Sequence, residues 1–283
     1  MPLKSVVVVA SIETADAEAI DAAAKLAARF SAHVRVVPAF PDSAADLVYF
    51  GTALRTSSSP AAERIAEAER ETQARLEAVA KETAAKQGLS GDAHGKGPSL
   101  IVDKRALQPA VALAPAAVLA DLVVFGAAAA HSPALAGLFA ETLLSTRAPV
   151  LLAKGVVSGG PVAVAWDGSA QAGRAVRAAL PLLQAASGVL ILRNVDDETS
   201  ETEAGDTERL RTYLVQHGVN NIAARELRGG NVAASLLEAA RADRCELLVA
   251  GGYGRPRLFE MVLGGTTRAL VNAEGGPSLL LAH

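Results

Sequence analysis

The chain has 283 residues, of which 27 are Lys or Arg and 30 are Asp or Glu, so the formal net charge is −3. This near-neutral balance, without a prominent basic patch, argues against a nucleic-acid-binding protein. Hydrophobic residues make up 51% of the chain and charged residues 20%, which excludes a disordered protein. The single cysteine, Cys245, excludes an intramolecular disulfide and a zinc site built from several cysteines.

The sequence contains no apolar run near the roughly 18 residues that a helix needs to cross a bilayer. The apolar run at residues 6–10 is too short for a signal-peptide core, and acidic residues soon follow it. We therefore expect a cytoplasmic protein that makes no membrane contact.

The first half alternates strands with helices. The β-branched run that follows Lys4 predicts a strand buried on both faces, as in a parallel sheet. The predicted strands are 4–10, 33–39, 99–102, 121–125 and 149–153. The predicted helices are 16–30, 60–87, 109–119 and a short one near 141–145.

The same pattern starts again after the Gly/Ser-rich segment 155–160. Predicted strands cover 161–166, 188–195, 222–227, 246–250 and 277–282, and predicted helices cover 171–186, 207–217, 231–242 and 267–274. The segment VVVVAS at 6–11 aligns with VAVAWD at 162–167, and PVLLAK at 149–154 aligns with PSLLLA at 277–282. This repeat predicts two tandem domains, 1–155 and 160–283, joined by the Gly/Ser-rich linker.

Strand–helix alternation predicts an α/β fold in which each domain has a five-stranded parallel sheet with helices on both faces. The expected strand order is 3-2-1-4-5, which places the ligand crevice between the carboxyl ends of the first and fourth strands. The fifth strand of each domain lies at a sheet edge and needs a partner. We expect the two fifth strands to pair within one chain as a pseudo-dimer, and pairing between chains in a homodimer is the alternative.

Residues suited to an anionic ligand follow these two strands in the second half. Asp167 can accept hydrogen bonds from a ribose hydroxyl or an adenine edge, or it can instead cap the helix that follows. The glycines of 251–254 let a polyphosphate approach the backbone closely, although a plain tight turn is the alternative. Gly264 and Gly265 open a helix whose free N–H groups and positive end attract anions, and Thr266 or Thr267 can cap that helix or offer a hydroxyl to a phosphate.

The spacing Gly251-x2-Gly254-x9-Gly264, together with Asp167, resembles the nucleotide-binding universal stress proteins. The resemblance implies a Rossmann-like sheet, adenine-nucleotide binding in one branch of the family, and pairing of domains through the fifth strand. Gly265 stands where that family has a Ser or Thr that touches the terminal phosphate, so discrimination between ATP, ADP and AMP is left open. The predicted nucleotide-binding residues are Ala165, Asp167, Val195, Gly251, Gly254, Gly264, Gly265 and Thr266.

The corresponding positions of the first half lack these features. Its first strand ends at Ser11 instead of an aspartate, and Ala129 and Phe139 stand where the second and third glycines of the motif would be. We therefore predict one functional site and one degenerate site in the chain.

These observations predict a stress-response regulatory protein that binds ATP or another adenine nucleotide, with or without Mg²⁺, in its second half. No catalytic residues and no metal-ligand spacing are evident, so we expect at most slow ATP hydrolysis, and the sequence does not identify a protein partner. One alternative is a scaffold that binds no nucleotide and acts through oligomerisation. Another is an ATP-dependent hydrolase of the same fold.

Overall fold

The protein, described here from a computed structural model, contains a mostly parallel sheet covered by helices. The described residues are 2–11, 14–39, 60–92, 95, 97–104, 108–195, 206–252 and 265–283. The strands are β1 Ser5–Ala10, β2 His33–Pro38, β3 Ser99–Val102, β4 Leu122–Gly126, β5 Val150–Ala153, β6 Val162–Ala165, β7 Val189–Asn194, β8 Ile222–Leu227, β9 Leu247–Gly251 and β10 Ser278–Ala282. The helices are α1 Thr14–Phe30, α2 Pro60–Gln87, α3 Pro109–Val118, α4 Pro133–Glu141, α5 Ala170–Ala185, α6 Thr207–Gln216, α7 Val232–Ala242 and α8 Gly265–Asn272.

The strand order within each half is the predicted one. The sheet runs β3-β2-β1-β4-β5-β10-β9-β6-β7-β8, so each half has the order 3-2-1-4-5 with all of its internal pairs parallel. The crevice at which strand order reverses therefore lies at the carboxyl ends of β1 and β4 in the first half, and of β6 and β9 in the second.

The two halves share one continuous sheet of ten strands, in which the two predicted five-stranded sheets are joined through their fifth strands. β5 and β10 pair antiparallel, with Leu151 opposite Leu280. Pairing removes two exposed sheet edges, which is the physical reason for the join. The prediction that the fifth strands pair within one chain is thereby confirmed, while the domain limits 1–155 and 160–283 stay a prediction.

Side chains alternate between two apolar layers because successive residues of a strand point to opposite faces of the sheet. Along β1, Val6 and Val8 pack into the layer that contains α1, α2, α5 and α6, whereas Val7 and Val9 pack into the layer that contains α3, α4, α7 and α8. All four valines are buried. Burial on both faces explains why the strand reads as an uninterrupted β-branched run.

The linker between the halves is fixed by one carboxylate. Glu246 accepts hydrogen bonds from the backbone N–H groups of Ser158, Gly159 and Gly160, at 2.7, 3.1 and 2.9 Å, and from the Ser158 hydroxyl at 2.8 Å. A Cβ on Gly160 would lie 2.5 Å from the Glu246 carboxyl carbon, so only glycine allows this approach. Burial alone would raise the pKa of Glu246, but these hydrogen bonds outweigh it and lower the pKa.

Two helices differ from the predicted ranges. The helix predicted near 141–145 is longer: it begins at Pro133 and continues past Glu141 as a π-helical turn over Thr142–Thr146. Within this turn the Thr146 hydroxyl donates to the carbonyl of Thr142 at 2.6 Å. The apolar sequence PALAGLFA lacks the polar face that marks a surface helix, which is why its first turns were not predicted.

The last helix is displaced toward the amino terminus. In the described residues α8 begins at Gly265, two residues before the predicted start, and it ends at Asn272. Thr266 and Thr267 therefore lie inside its first turn. None of the described helices combines the length and the apolarity needed to cross a membrane.

Candidate functional site

Three of the residues predicted for the site lie at the carboxyl edge of the second half of the sheet. Ala165 ends β6, Val195 follows β7, and Gly251 ends β9. β6 lies between β7 and β9, with Ala165 opposite Leu192 and Val164 opposite Val249. The backbone thus brings these positions to the point where strand order reverses, which is where parallel α/β sheets bind ligands.

Asp167 lies two residues beyond the end of β6, and its side chain is exposed. Its Oδ1 accepts a hydrogen bond of 2.9 Å from the backbone N–H of Ser169, across Gly168, whose φ of 76° is left-handed. Ser169 in turn caps α5, since its hydroxyl accepts from the N–H of Ala172 at 3.1 Å. Asp167 therefore has its alternative role, in shaping the start of α5. This role leaves its carboxylate exposed at the crevice.

Gly251 is explained by packing. A Cβ at this position would lie 2.6 Å from the amide nitrogen of Ala172 and 2.9 Å from the Cβ of Gln171. Both neighbours belong to the first turn of α5, so the glycine lets that helix start directly against β9. Its predicted contact with phosphate stays a prediction. The next residue, Gly252, donates its N–H to the carbonyl of Ala282 at 2.9 Å and so extends the sheet.

The first turn of α8 supplies the remaining described positions. Gly265 and Thr266 are exposed, and a Cβ on Gly265 would meet nothing within 4 Å. A helix that connects two parallel strands runs opposite to them, so the positive end of α8 lies at the same edge of the sheet as Asp167. Gly254 and Gly264 were also predicted for the site, and both lie outside the described residues.

The opposite end of α8 is held by a residue from the first half. Lys154 directly follows β5, and its ammonium donates to the carbonyl oxygens of Leu270, Val271 and Ala273 at 2.9, 3.2 and 2.8 Å. The helix dipole favours a cation at this negative end, whereas burial disfavours the charged form. Burial, with a smaller contribution from Arg241, lowers the pKa of Lys154 to about 8.

The contact of Lys154 with the end of α8 was not predicted from the sequence. In the sequence, Lys154 was only the last residue of the aligned segment 149–154. A usable signal existed, because a lysine immediately after an edge strand is placed to reach the element beyond its partner strand. Which helix it reaches depends on the antiparallel join of β5 and β10, and the sequence alone did not fix the register of that join.

The side chain of Trp166 lies on the opposite face of the sheet from that of Ala165. Its side chain packs on the layer that contains α5 and α6, whereas Ala165 packs on the layer that contains α7 and α8. The indole Nε1 is buried and has no hydrogen-bond partner among the described residues.

The corresponding region of the first half is filled by its own side chains. Ser11 donates its backbone N–H and its hydroxyl to Oδ2 of Asp16, at 2.6 and 2.9 Å, and Asp16 is only 5% exposed. Phe139, which stands where the third glycine of the motif would be, is 3% exposed and packs edge-on against Phe125 at the end of β4. Apolar bulk thus occupies this half where the second half has small residues.

His283 follows β10 at this edge, and its Nδ1 lies 3.1 Å from the carbonyl oxygen of Gly252. Cys245 precedes β9 and therefore lies at the opposite edge of the sheet. Burial, reinforced by Asp243, raises the pKa of the Cys245 thiol to about 11, so it is protonated at neutral pH. Among the residues that the structure describes, no group of three or more His, Cys, Asp or Glu side chains is arranged to hold a metal ion. Within the part of the chain that the structure describes, the edge offers backbone donors and the exposed carboxylate of Asp167, which suits binding.

Comparison with known proteins agrees with this architecture. Residues 160–273 match the model of the universal stress protein family. A universal stress protein from Archaeoglobus fulgidus DSM 4304 aligns with 98% of this chain and 95% of its own, at 14% identity and a TM-score of 0.66. A putative universal stress protein from Pseudomonas aeruginosa UCBPP-PA14 aligns with 99% of this chain and 93% of its own, at 15% identity and a TM-score of 0.58.

Other comparisons are weaker. A universal stress protein solved in complex with cAMP aligns with 44% of this chain and 97% of its own, at 21% identity and a TM-score of 0.37, and a likeness at this level says nothing about the ligand of this chain. No curated protein is significantly similar to it in sequence. The two full-length structural matches show that both halves share one fold, and the family match covers the half that carries the glycine motif. Residues 160–273 therefore resemble the universal stress protein family, and the likeness of the chain to the two full-length structures shows a shared fold.

Proposed function

We propose that the second half binds an adenine nucleotide at the carboxyl edge of β6, β7 and β9, and that the protein acts as a regulator of a stress response. The observation that carries the proposal is the placement of Asp167 beside Ala165, Val195 and Gly251 at the point where strand order reverses. The first turn of α8 lies at the same edge, and the backbone N–H groups at the start of a helix favour an anion.

In this proposal Asp167 holds the ribose or the base, because the Oδ1 bond to Ser169 leaves its other carboxylate oxygen available. The phosphates lie against the start of α8, where Gly265 and Thr266 present backbone N–H donors at a positive helix end. Mg²⁺ would arrive with the nucleotide. These assignments agree with the glycine motif, of which Gly254 and Gly264 form the other part.

We further propose that binding, not turnover, is the function, and that the protein works in the cytoplasm. Support comes from the sequence neighbours of Asp167, which include no histidine, cysteine or lysine that would activate water or form a covalent intermediate. The histidine at this edge, His283, has its Nδ1 3.1 Å from the carbonyl oxygen of Gly252. ATP hydrolysis slower than about 1 per second agrees with this assignment, whereas faster turnover favours a hydrolase.

A thermal melting experiment tests the proposal. ATP at a hundredfold excess over its Kd should stabilise the fold by about 2.7 kcal/mol, which corresponds to a rise in Tm of roughly 5 to 10 °C. Asp167→Ala should abolish the rise in Tm. Glu238→Gln, which removes an exposed carboxylate of α7, is the matched control and should keep it. No shift in the wild-type protein with ATP, ADP or AMP would reject nucleotide binding.

A scaffold that acts through oligomerisation is the second candidate, and one observation favours it. Val111 and Val118 in α3 are each 65% exposed, and Leu119, which follows the helix, is 82% exposed. This helix contains no charged residue, whereas α7, its counterpart in the second half, carries Glu238 and Arg241. If a second copy of the chain covers α3, Leu119→Glu will convert a dimer into a monomer in sedimentation velocity.

A further inference from the structure

The helix to which the proposed function assigns the phosphates is short. α8 spans the eight residues Gly265–Asn272, so it is about 12 Å long. Isolated helices shorter than about 12 to 15 residues are at best marginally stable in water. The order of α8, including its first turn, therefore depends on contacts with the rest of the protein.

The buried apolar side chains of α8 lie in its last turn. Leu270 and Val271 are each 2% exposed and pack into the same apolar layer as Leu279 of β10. In the first turn, by contrast, Gly265 and Thr266 are exposed. The carboxyl end of the helix is therefore the end at which apolar packing holds it.

A residue of the first half, Lys154, supplies polar contacts at the same end. Its ammonium donates to the carbonyl oxygens of Leu270, Val271 and Ala273, at 2.9, 3.2 and 2.8 Å. The last four carbonyl groups of a helix lack a partner within it, so Lys154 supplies donors where α8 has none. The lysine is itself fixed at the join of the halves, because its backbone N–H donates to the hydroxyl of Ser278 at 3.2 Å.

The first half also contacts the residue that follows β9. A Cβ on Gly252 would lie 3.2 Å from Cδ2 of Leu143, which is fully buried in the π-helical turn before β5. The N–H of Gly252 is held by the carbonyl of Ala282, at the end of β10. The connection between β9 and β10 thus meets the first half at two described places, next to β9 and at the end of α8.

The charge of Lys154 is too distant to attract a phosphate directly. The two ends of α8 are about 12 Å apart, which exceeds the Debye length of roughly 10 Å at 0.1 M salt. An effect of Lys154 on a nucleotide therefore has to act through the position of the helix. A helix with a loose end must be ordered when phosphate binds, and the entropy lost in that ordering lowers the affinity.

We propose that Lys154 is a positioning residue of the nucleotide site, which fixes α8 to the first half and thereby raises the affinity for the phosphate groups at the other end of this helix. The inference rests on the proposed function and adds that nucleotide affinity depends on a contact between the halves. The ribose or the base is assigned to Asp167, which lies outside α8. Lys154 should therefore affect the binding of phosphates and not that of the nucleoside.

Calorimetric titration with ATP and NMR titration with adenosine test this assignment. Lys154→Met should weaken ATP binding about three- to tenfold and leave adenosine binding within about twofold of the wild type. Both titrations are made at a temperature at which circular dichroism shows the variant to be folded. If Lys154→Met does not fold, Lys154→Gln, whose shorter side chain is polar but uncharged, has the same expected result.

Lys4→Met is the matched control. The ammonium of Lys4 also donates to carbonyl oxygens at a helix end, those of Phe30 at 2.9 Å and Ser31 at 3.0 Å, but this helix is α1 in the first half. The substitution removes the same kind of contact without affecting α8, so ATP affinity should stay within about twofold of the wild type.

Three results would overturn the inference. The first is unchanged ATP affinity in Lys154→Met while the wild type binds ATP, which leaves the proposed function standing. The second is an equal loss of ATP and adenosine binding, and the third is the same loss of ATP binding in Lys4→Met, since either would show a general effect on the fold. A wild-type protein that binds neither ligand would instead reject the proposed function, and the inference with it.

Discussion

The ammonium of Lys154, from the first half of the chain, donates a 2.9 Å hydrogen bond to the carbonyl oxygen of Leu270, from the second. Leu270 lies in α8, and the opposite end of that helix begins with Gly265 and Thr266. Lys154, which belongs to the half without the glycine motif, therefore holds the end of α8. The first turn of this helix is the one that we assign to phosphate binding. The first half, whose own site is degenerate, thus helps to position the proposed nucleotide site of the second half.

Replacement of Lys154 by methionine should destabilise the protein. Lys154→Met keeps most of the apolar stem but removes the donor to three carbonyl oxygens, so we expect the free energy of unfolding at pH 7 to fall by about 1 to 2 kcal/mol. Urea denaturation measures the change. Lys81→Met, an exposed position of α2, is the matched control and should stay within about 0.5 kcal/mol of the wild type. Equal stability of the two variants would contradict the role of Lys154.

Titration of Lys154 should be visible at alkaline pH. Its pKa in the folded protein is lowered to about 8 from the ordinary 10.5, so between these values the unfolded chain binds more protons than the folded one. Stability from this group then rises with pH across that window. The difference in unfolding free energy between the wild type and Lys154→Met should therefore grow from pH 8 to pH 10. A difference that stays constant over this range would show that the pKa is not lowered.

Glu246 should matter most above its ordinary pKa. Glu246→Gln replaces the charged acceptor of the linker by a neutral one, and we expect a loss of about 1 to 2 kcal/mol at pH 7. Because the folded-state pKa is lowered, the contribution is complete above the ordinary value of 4.5 and is lost as the pH falls below it. The gap between wild type and variant should thus close in acid. Glu226→Gln, exposed on β8, controls for the removal of a surface charge, and a gap independent of pH would count against the account.

The two glycines at the ends of the candidate loop should respond in opposite ways. Gly251→Ala places a Cβ against the backbone of α5, and overpacking of this kind should cost about 1 to 3 kcal/mol. Gly265→Ala meets open space in the first turn of α8 and should be neutral or stabilising by up to about 1 kcal/mol. Thermal unfolding of the two variants and the wild type under the same conditions measures this difference in stability. A tolerated Gly251→Ala would contradict the packing described for α5.

The sequence predicted the sheet well because its strands are buried on both faces. An apolar run such as Val6–Val9 indicates a strand buried on both faces, and the alternation of such strands with helices indicated the parallel sheet whose order was expected. Pairing of the fifth strands followed from the same logic, since both were expected at unpaired edges.

The side-chain contacts between elements were harder to predict. The roles of Lys154 and Glu246 depend on which helix and which linker residues the join of the halves brings near them. The position of the Trp166 ring depends on the two-residue period of a strand, which turns it away from the face on which Ala165 packs. For Gly251 the motif pointed to phosphate, whereas the structure supplies a packing reason that the motif could not reveal.

Equilibrium dialysis with ATP tests the central claim most directly, because it counts sites without relying on stability. We expect one ATP per chain, bound in the second half, with binding lost in Asp167→Ala and retained in Ser11→Ala, the matched position of the first half. Two ATP molecules per chain, no binding at all, or binding that survives Asp167→Ala and disappears in Ser11→Ala would contradict the assignment of the nucleotide to the second half.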